Sequence, residues 1–302
     1  MVRNSYARST HLAKVSGTQH GAFTCAQFLE AGFTRNQLRY RIRTGEIVAI
    51  DELVYRHVAT PPSWKQRLVA ACLAGPAVAS HRSAGVLWDF PGMSEGLLEV
   101  TALRHRRRHV DDVVWHESHH LGERDITEID RIPCTRPVRT FLDLGAVLSS
   151  DQLETVLNEG IRRNLVSIAA ISRRLEALGS LRRGTAVARL VFDRQVRGRA
   201  APESVLETRF LQLVRSAGLP EPVPQLHVKL GDAVVRIDFA YPDRRIAIEL
   251  DGAAYHSGEL ARRRDRRRDT RLGNLRWRVL RFDWDDVTRA PEYVLGQIKA
   301  SL

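Results

Sequence analysis

Val235–His256 reads VRIDFAYPDRRIAIELDGAAYH. Two runs rich in β-branched and aromatic residues, VVRIDFAY and RIAIEL, flank Pro242-Asp243-Arg244-Arg245, which reads as a turn built on Pro-Asp. The pattern predicts a hairpin in which Tyr241 pairs with Ile246, Phe239 with Ile248 and Ile237 with Leu250, with the apolar side chains on one face. A slip of one residue would turn every one of them outward, so the pattern itself sets the register. The same register puts Asp238 opposite Glu249.

Facing side chains on antiparallel strands have Cβ atoms roughly 5 Å apart, and like charges at that distance destabilise the pair. Asp251, two residues beyond Glu249, projects from the same face, so three carboxylates are expected to converge. A bound cation, a proton held on one acid, or an arginine brought in from elsewhere would offset the repulsion. Oxygen-only donors suit Mg²⁺ or Mn²⁺, whereas a structural zinc site would use Cys or His. The alternative is an acidic patch on an exposed hairpin, neutralised by Arg236.

An acid on one strand, a turn, and an acid pair closing the next strand resemble the core of the PD-(D/E)XK nuclease superfamily. The continuation D-G-x-x-x-H, Asp251 to His256, is similar to the Vsr-like endonuclease domains. Over about residues 200–302 this resemblance implies a four-stranded mixed sheet between helices, a divalent cation on Asp238 and Glu249, and hydrolysis of a DNA phosphodiester. Where the superfamily has a lysine after the second acid, this chain has Asp251, and His256 is the substitute expected to activate water. An acid on the first helix also helps hold the metal in the resembling families. Glu207 either occupies such a position or closes an S-x-x-E capping box on Ser204, and one carboxylate could not easily do both. Glu203 is the alternative acid.

The chain has 302 residues and a net charge of +12, enough length for two or three cores and a charge suited to a polyanion, most commonly nucleic acid. Its three cysteines, Cys25, Cys72 and Cys134, form no C-x-x-C pair and suggest no disulfide framework or zinc ribbon. Leu68–Ala79, the longest apolar run, is broken by Gly75-Pro76 and is too short to span a bilayer, and MVRNSYARSTHLAK lacks the apolar core of a signal peptide. A soluble protein in a reducing cytoplasm is expected.

Between Thr18 and Pro62, Thr24 can cap a helix through Glu30 that stops at Gly32. Thr34 and Gln37 form a T-x-x-Q capping box for a second helix ending at Gly45. Arg35, Arg39 and Arg43 recur on one side of that helix, and Leu38 and Ile42 lie on another. EIVAI and LVYRHV follow as a small hairpin. Two short helices, the second faced with arginine, and a β-wing are the parts of a winged helix-turn-helix. The region resembles the N-terminal module of AbiEi-type antitoxins, which implies DNA binding and a cognate toxin as partner. The competing reading is a structural cap whose arginines are solvated.

Residues 63–193 read as mixed α/β, with SHRSAGVLWDF (Ser80–Phe90) similar to the segment behind AbiEi-like modules, and no chemistry is assigned to them. His105, His109, His116, His119 and His120 stand among arginines and read as a basic loop rather than a zinc site, and RHRRRH (Arg104–His109) could touch phosphate. DRQVRGRAAP (Asp193–Pro202) reads as a linker. Beyond the hairpin, Glu259–Leu272 reads as an arginine-covered helix ending at Gly273, with Asp265 within reach of His256. The aspartates Asp265 and Asp269 cannot neutralise its arginines, so Arg263, Arg267 and Arg271 are expected to face a phosphate backbone, as is Arg281 on the strand Trp277–Phe282. Pro291–Leu302 closes the chain as a helix.

The expected fold is α/β (α+β): a flexible basic tail (1–17), a winged helix-turn-helix (18–62), a mixed α/β middle region (63–193), a linker (194–202), and a PD-(D/E)XK-like sheet flanked by helices (203–302). The expected function is Mg²⁺- or Mn²⁺-dependent DNA cleavage, with Asp238, Glu249, Asp251, His256 and Glu207 catalytic. The alternative is an antitoxin-like DNA-binding regulator with a silent nuclease fold. RNA as substrate stays open.

Overall fold

The structure, a computed structural model, describes residues 2–103, 112–178, 185–197, 202–230, 233–251 and 270–302. The fold is mixed α/β and divides into two compact units, Met1–Arg199 and Ala200–Leu302.

The first unit opens with α1 (Val2–Gly17), where the sequence suggested a flexible tail. The helix is held because Leu12 packs on the small core and Gly32, at φ 91, leaves room for the Arg8 side chain. Strand β1 (Ala22–Thr24) leads into α2 (Cys25–Glu30) and α3 (Arg35–Arg43). Both helices begin at the caps expected of them, and the one at Thr24 is a capping box like that at Thr34: Gln27 N–H donates to Thr24 Oγ1 at 3.2 Å, and Gln37 N–H to Thr34 Oγ1 at 3.2 Å. Strands β2 (Ile47–Ala49) and β3 (Val54–His57) complete an antiparallel sheet in the order β1-β3-β2 over a core of Phe23, Phe28, Phe33, Leu38 and Ile47.

The unit continues through α4 (Trp64–Ala74), β4 (Ala77–Ala79), α5 (His81–Leu87), β5 (Leu98–Leu103), β6 (Val113–Ser118), β7 (Ile126–Ile129) and β8 (Ile132–Thr135). The five strands order as β6-β5-β4-β8-β7. Helices α6 (Pro137–Leu144), α7 (Ser150–Arg162), α8 (Ile168–Leu178) and α9 (Thr185–Arg197) build a second core around Phe141, Leu144, Leu153, Leu157 and Ile171. Because α9 runs on to Arg197, the first half of the stretch read as a linker is helical.

The second unit begins with α10 (Val205–Ser216), followed by β9 (Val223–Leu230), β10 (Ala233–Tyr241), β11 (Ile246–Asp251) and β12 (Arg278–Asp283), then α11 (Trp284–Arg289) and α12 (Pro291–Lys299). The sheet orders as β12-β11-β10-β9. Strands β9, β10 and β11 run antiparallel, and β12 lies parallel to β11, so the sheet is mixed. Pro242–Arg244 forms a single tight turn closed by Arg245 at φ 53, with Arg245 N–H donating to Pro242 O at 3.0 Å. Tyr241 pairs with Ile246 and Phe239 with Ile248, as the alternation requires.

Ile237 departs from that pattern. Phe239, Tyr241, Ile246 and Ile248 join Leu206, Phe210 and Val214 of α10 and residues of α11 and α12 on one side of the sheet. Ile237 instead packs with Ala240, Ala247 and Leu272 in a second cluster. Regular alternation would have kept Ile237 with Phe239, so β10 changes sides at Asp238. The regular β10–β11 ladder stops at the Phe239–Ile248 pair, and Leu250 N–H donates to Asp238 Oδ2 at 3.0 Å. Residues 270–274 are helical and run past Gly273; the turn that ends them is made by Arg276 at φ 60, with Trp277 N–H donating to Leu272 O at 3.0 Å.

Candidate active site

The break in β10 organises a polar row across all four strands. Ile237 pairs with Leu226 and Phe239 with Pro224, which sets Asp238 against Gln225. One strand over, Glu249 lies next to the position facing Asp238, and in the parallel ladder it pairs with Arg281. Gln225, Asp238, Glu249 and Arg281 therefore occupy one level of β9, β10, β11 and β12. Glu249 is buried, at 5% exposure.

Helix α10 adds its N-terminal acid to this level. Ser204 Oγ accepts from Glu207 N–H at 3.1 Å, which starts the helix. The carboxylate of Glu207 does not close the box on Ser204 N–H; its Oε2 accepts from Glu203 N–H at 2.9 Å and from Gln225 Nε2 at 3.5 Å. Burial pushes the Glu207 carboxyl above the usual carboxylate range. The Glu203 N–H works against that shift, the charges of Asp238 and Glu203 add to it, and Gln225 reduces it. Glu203 itself is exposed and paired with Arg236 at 2.9 Å.

The three-carboxylate focus expected from the hairpin is not what forms. Asp238 is drawn into the sheet by Leu250 N–H, and Asp251 lies 3.9 Å from Arg281 Nη1. Among the described residues no group of three or more His, Cys, Asp or Glu side chains could hold a metal ion. Two acids are linked through Gln225: Glu207, which its Nε2 bonds at 3.5 Å, and Asp238, which lies opposite it in the β9–β10 register and whose charge acts on Glu207. Their donors are all oxygen, and their like charges are crowded where burial weakens solvation. Both properties fit Mg²⁺ or Mn²⁺ and not a structural zinc. Gln225 was missed in the sequence; its only signal there is a polar amide beside Pro224 inside a strand.

Arg281, expected to face phosphate, lies against Asp251, while Arg271 is exposed on the helical turn 270–274. Arg35, Arg39 and Arg43 are exposed on α3. Arg41 of the same helix turns inward, its guanidinium 4.7 Å from the Phe33 ring and 3.1 Å from Glu46. His256, Arg263, Arg267 and Asp265 lie outside the described residues. His116 stacks on His81 with ring centroids 3.5 Å apart and sits 3.4 Å from Glu99, which places it in a carboxylate pair. No helix among the described residues is long and apolar enough to cross a membrane.

Comparison with known proteins bears on the same segment. Residues 210–302 match the REase_MTES_1575 family, a restriction-endonuclease-like domain. The polar row lies within this restriction-endonuclease-like domain, and Glu207 stands just before the matched residues. Over 272 residues the chain is 27% identical to uncharacterized protein MT2308 of Mycobacterium tuberculosis (strain CDC 1551 / Oshkosh), covering 89% of this chain and 97% of that protein. The same figures hold for uncharacterized protein Rv2248 of Mycobacterium tuberculosis (strain ATCC 25618 / H37Rv). Among solved structures, the crystal structure of the RV2827C protein from Mycobacterium tuberculosis is similar at a TM-score of 0.42 and 13% identity, over 62% of this chain and 76% of that one.

Proposed function

We propose that the chain is a divalent-metal-dependent DNA endonuclease, with the restriction-endonuclease-like domain cleaving and residues 18–62 binding DNA as a winged helix-turn-helix. The observation that carries the reading is that Gln225, bonded to buried Glu207, lies opposite Asp238 across β9 and β10, inside or beside the family match. Asp238 and Glu207, with Glu249 on the next strand, would hold Mg²⁺ or Mn²⁺, an ion that polarises a phosphoryl oxygen and acidifies a water. Leu250 N–H orients the Asp238 carboxylate, and Glu203 N–H orients that of Glu207. His256 is the group assigned to take the proton from the attacking water, a role suited to an imidazole. Asp251 restrains Arg281 from the side, and Arg271, with Arg263 and Arg267, supplies positive charge for the phosphate backbone.

Supercoiled plasmid incubated with Mg²⁺ or Mn²⁺ should be nicked by the wild type and left intact by Asp238→Asn, while both bind DNA equally. Failure of the wild type to cut DNA of any form removes the catalytic reading.

A second reading is favoured by one feature of the first unit: α3 keeps Arg35, Arg39 and Arg43 exposed while Arg41 is engaged internally. That division suits a DNA-contacting helix and supports an antitoxin-like regulator paired with a toxin, in which the C-terminal domain grips DNA without cutting. Selection of a preferred operator by gel shift, with no divalent-cation binding in calorimetry, would favour it.

A further inference from the structure

Gln225 carries two local costs that the strand around it does not explain. Its φ is 50, a left-handed conformation that is unfavourable for a non-glycine residue. Its side-chain Oε1 is buried and accepts no hydrogen bond among the described residues, although its Nε2 donates to Glu207 Oε2 at 3.5 Å. A buried acceptor left unsatisfied is itself unfavourable. The residue lies opposite Asp238 in the β9–β10 register, on the same level as Glu249. The amide thus lies opposite one acid in the sheet and is bonded to the other.

Charge explains why an amide suits this place. Arg236 pairs with Glu203 at 2.9 Å, and Asp238, Glu207 and Glu249 already bring three carboxylates to the proposed ion. A further carboxylate would add repulsion in the metal-free protein, whereas a neutral oxygen adds a donor without it. We propose that Gln225 is a further ligand of the cation held by Asp238 and Glu207, coordinating through Oε1 while its Nε2 fixes the Glu207 carboxylate. This rests on the metal-binding part of the function proposed above and extends it to a residue outside the acidic set.

The test is Mn²⁺ binding to the full chain by calorimetry, for the wild type, Gln225→Gly, Gln225→Glu and Asp238→Asn. Glycine accepts φ 50 without strain, so Gln225→Gly removes the amide while sparing the fold, which an unchanged or higher Tm without metal will show. Its Mn²⁺ affinity should fall about 10-fold or more. Gln225→Glu should bind Mn²⁺ at least as tightly as the wild type, and its Tm should rise more steeply with added Mn²⁺. A purely structural Gln225 predicts wild-type affinity in Gln225→Gly, and that result overturns the proposal. If the wild type binds Mn²⁺ and Asp238→Asn does not, while Gln225→Gly still does, the nuclease reading survives and this one fails. If the wild type binds no Mn²⁺, both fall. If binding behaves as predicted and DNA is never cut, Gln225 remains a ligand and only the cleavage reading is lost.

Discussion

Two buried glutamates, one in each unit, show opposite solutions to the same problem. Glu99 in β5 is 2% exposed and Glu207 in α10 is 7% exposed. Burial alone would raise both carboxyls. For Glu99 it is outweighed by a hydrogen bond from His116, the Arg82 N–H, and the nearby positive charges of Arg82 and His116, so its carboxyl is held below the usual range. For Glu207 the charges of Asp238 and Glu203 reinforce burial, and the carboxyl is held above it. The first unit repeats its solution elsewhere: Arg139 meets Asp143 at 2.9 Å, and Arg174 meets Asp125 at 2.6 Å. Buried acids there are structural and already neutralised. In the second unit the charges acting on buried Glu207, among the described residues, are those of Asp238 and Glu203, and both are negative, which favours recruiting a cation.

The largest test of that contrast is Arg139→Met. Removing the cation leaves Asp143 and the Asp125 pair undercompensated in a buried site, and the cost should be about 3–5 kcal/mol in chemical denaturation of the first unit. A loss no larger than that of a surface ion pair would mean the network is not structural.

Glu207→Gln should act in the opposite direction. A carboxyl raised in the folded state favours folding below its unfolded pKa and loses that advantage as pH rises through the folded value. Metal-free Glu207→Gln should therefore melt a few degrees above the wild type at neutral pH and level with it in acid. Equal melting temperatures at neutral pH would show that the Glu207 charge destabilises nothing there.

The exposed arginines give the smallest effect. Replacing Arg39 and Arg43 with alanine should leave stability unchanged and reduce the salt slope of DNA binding by about one for each phosphate no longer neutralised. An unaltered slope would return α3 to the status of a solvated helix.

The same contrast explains what could be read from the sequence. Local rules carry the hairpin, its turn and the caps at Thr24 and Thr34, because alternation, Pro-Asp and T-x-x-Q each act within a few residues. Helix α5 (His81–Leu87) escapes that reading, since seven residues including Gly85 show no apolar period. Strands β1, β7 and β8 are too short to display alternation. The site itself was legible only in part. Asp238 and Glu249 stand out as acids in apolar company and Glu207 as the acid of a helix start, but the convergence expected of Asp238, Glu249 and Asp251 holds only for an ideal hairpin. The left-handed Gln225, the side change between Ile237 and Phe239, and the capture of Asp251 by Arg281 all depend on strands that are distant in sequence.

The pairing of Glu207 with Asp238 is tested most directly by following the Glu207 carboxyl by NMR through a pH titration, without and with Mg²⁺. The account predicts a titration above the ordinary carboxylate range in the metal-free protein that moves below it when Mg²⁺ is added. An ordinary value unmoved by Mg²⁺ would contradict it.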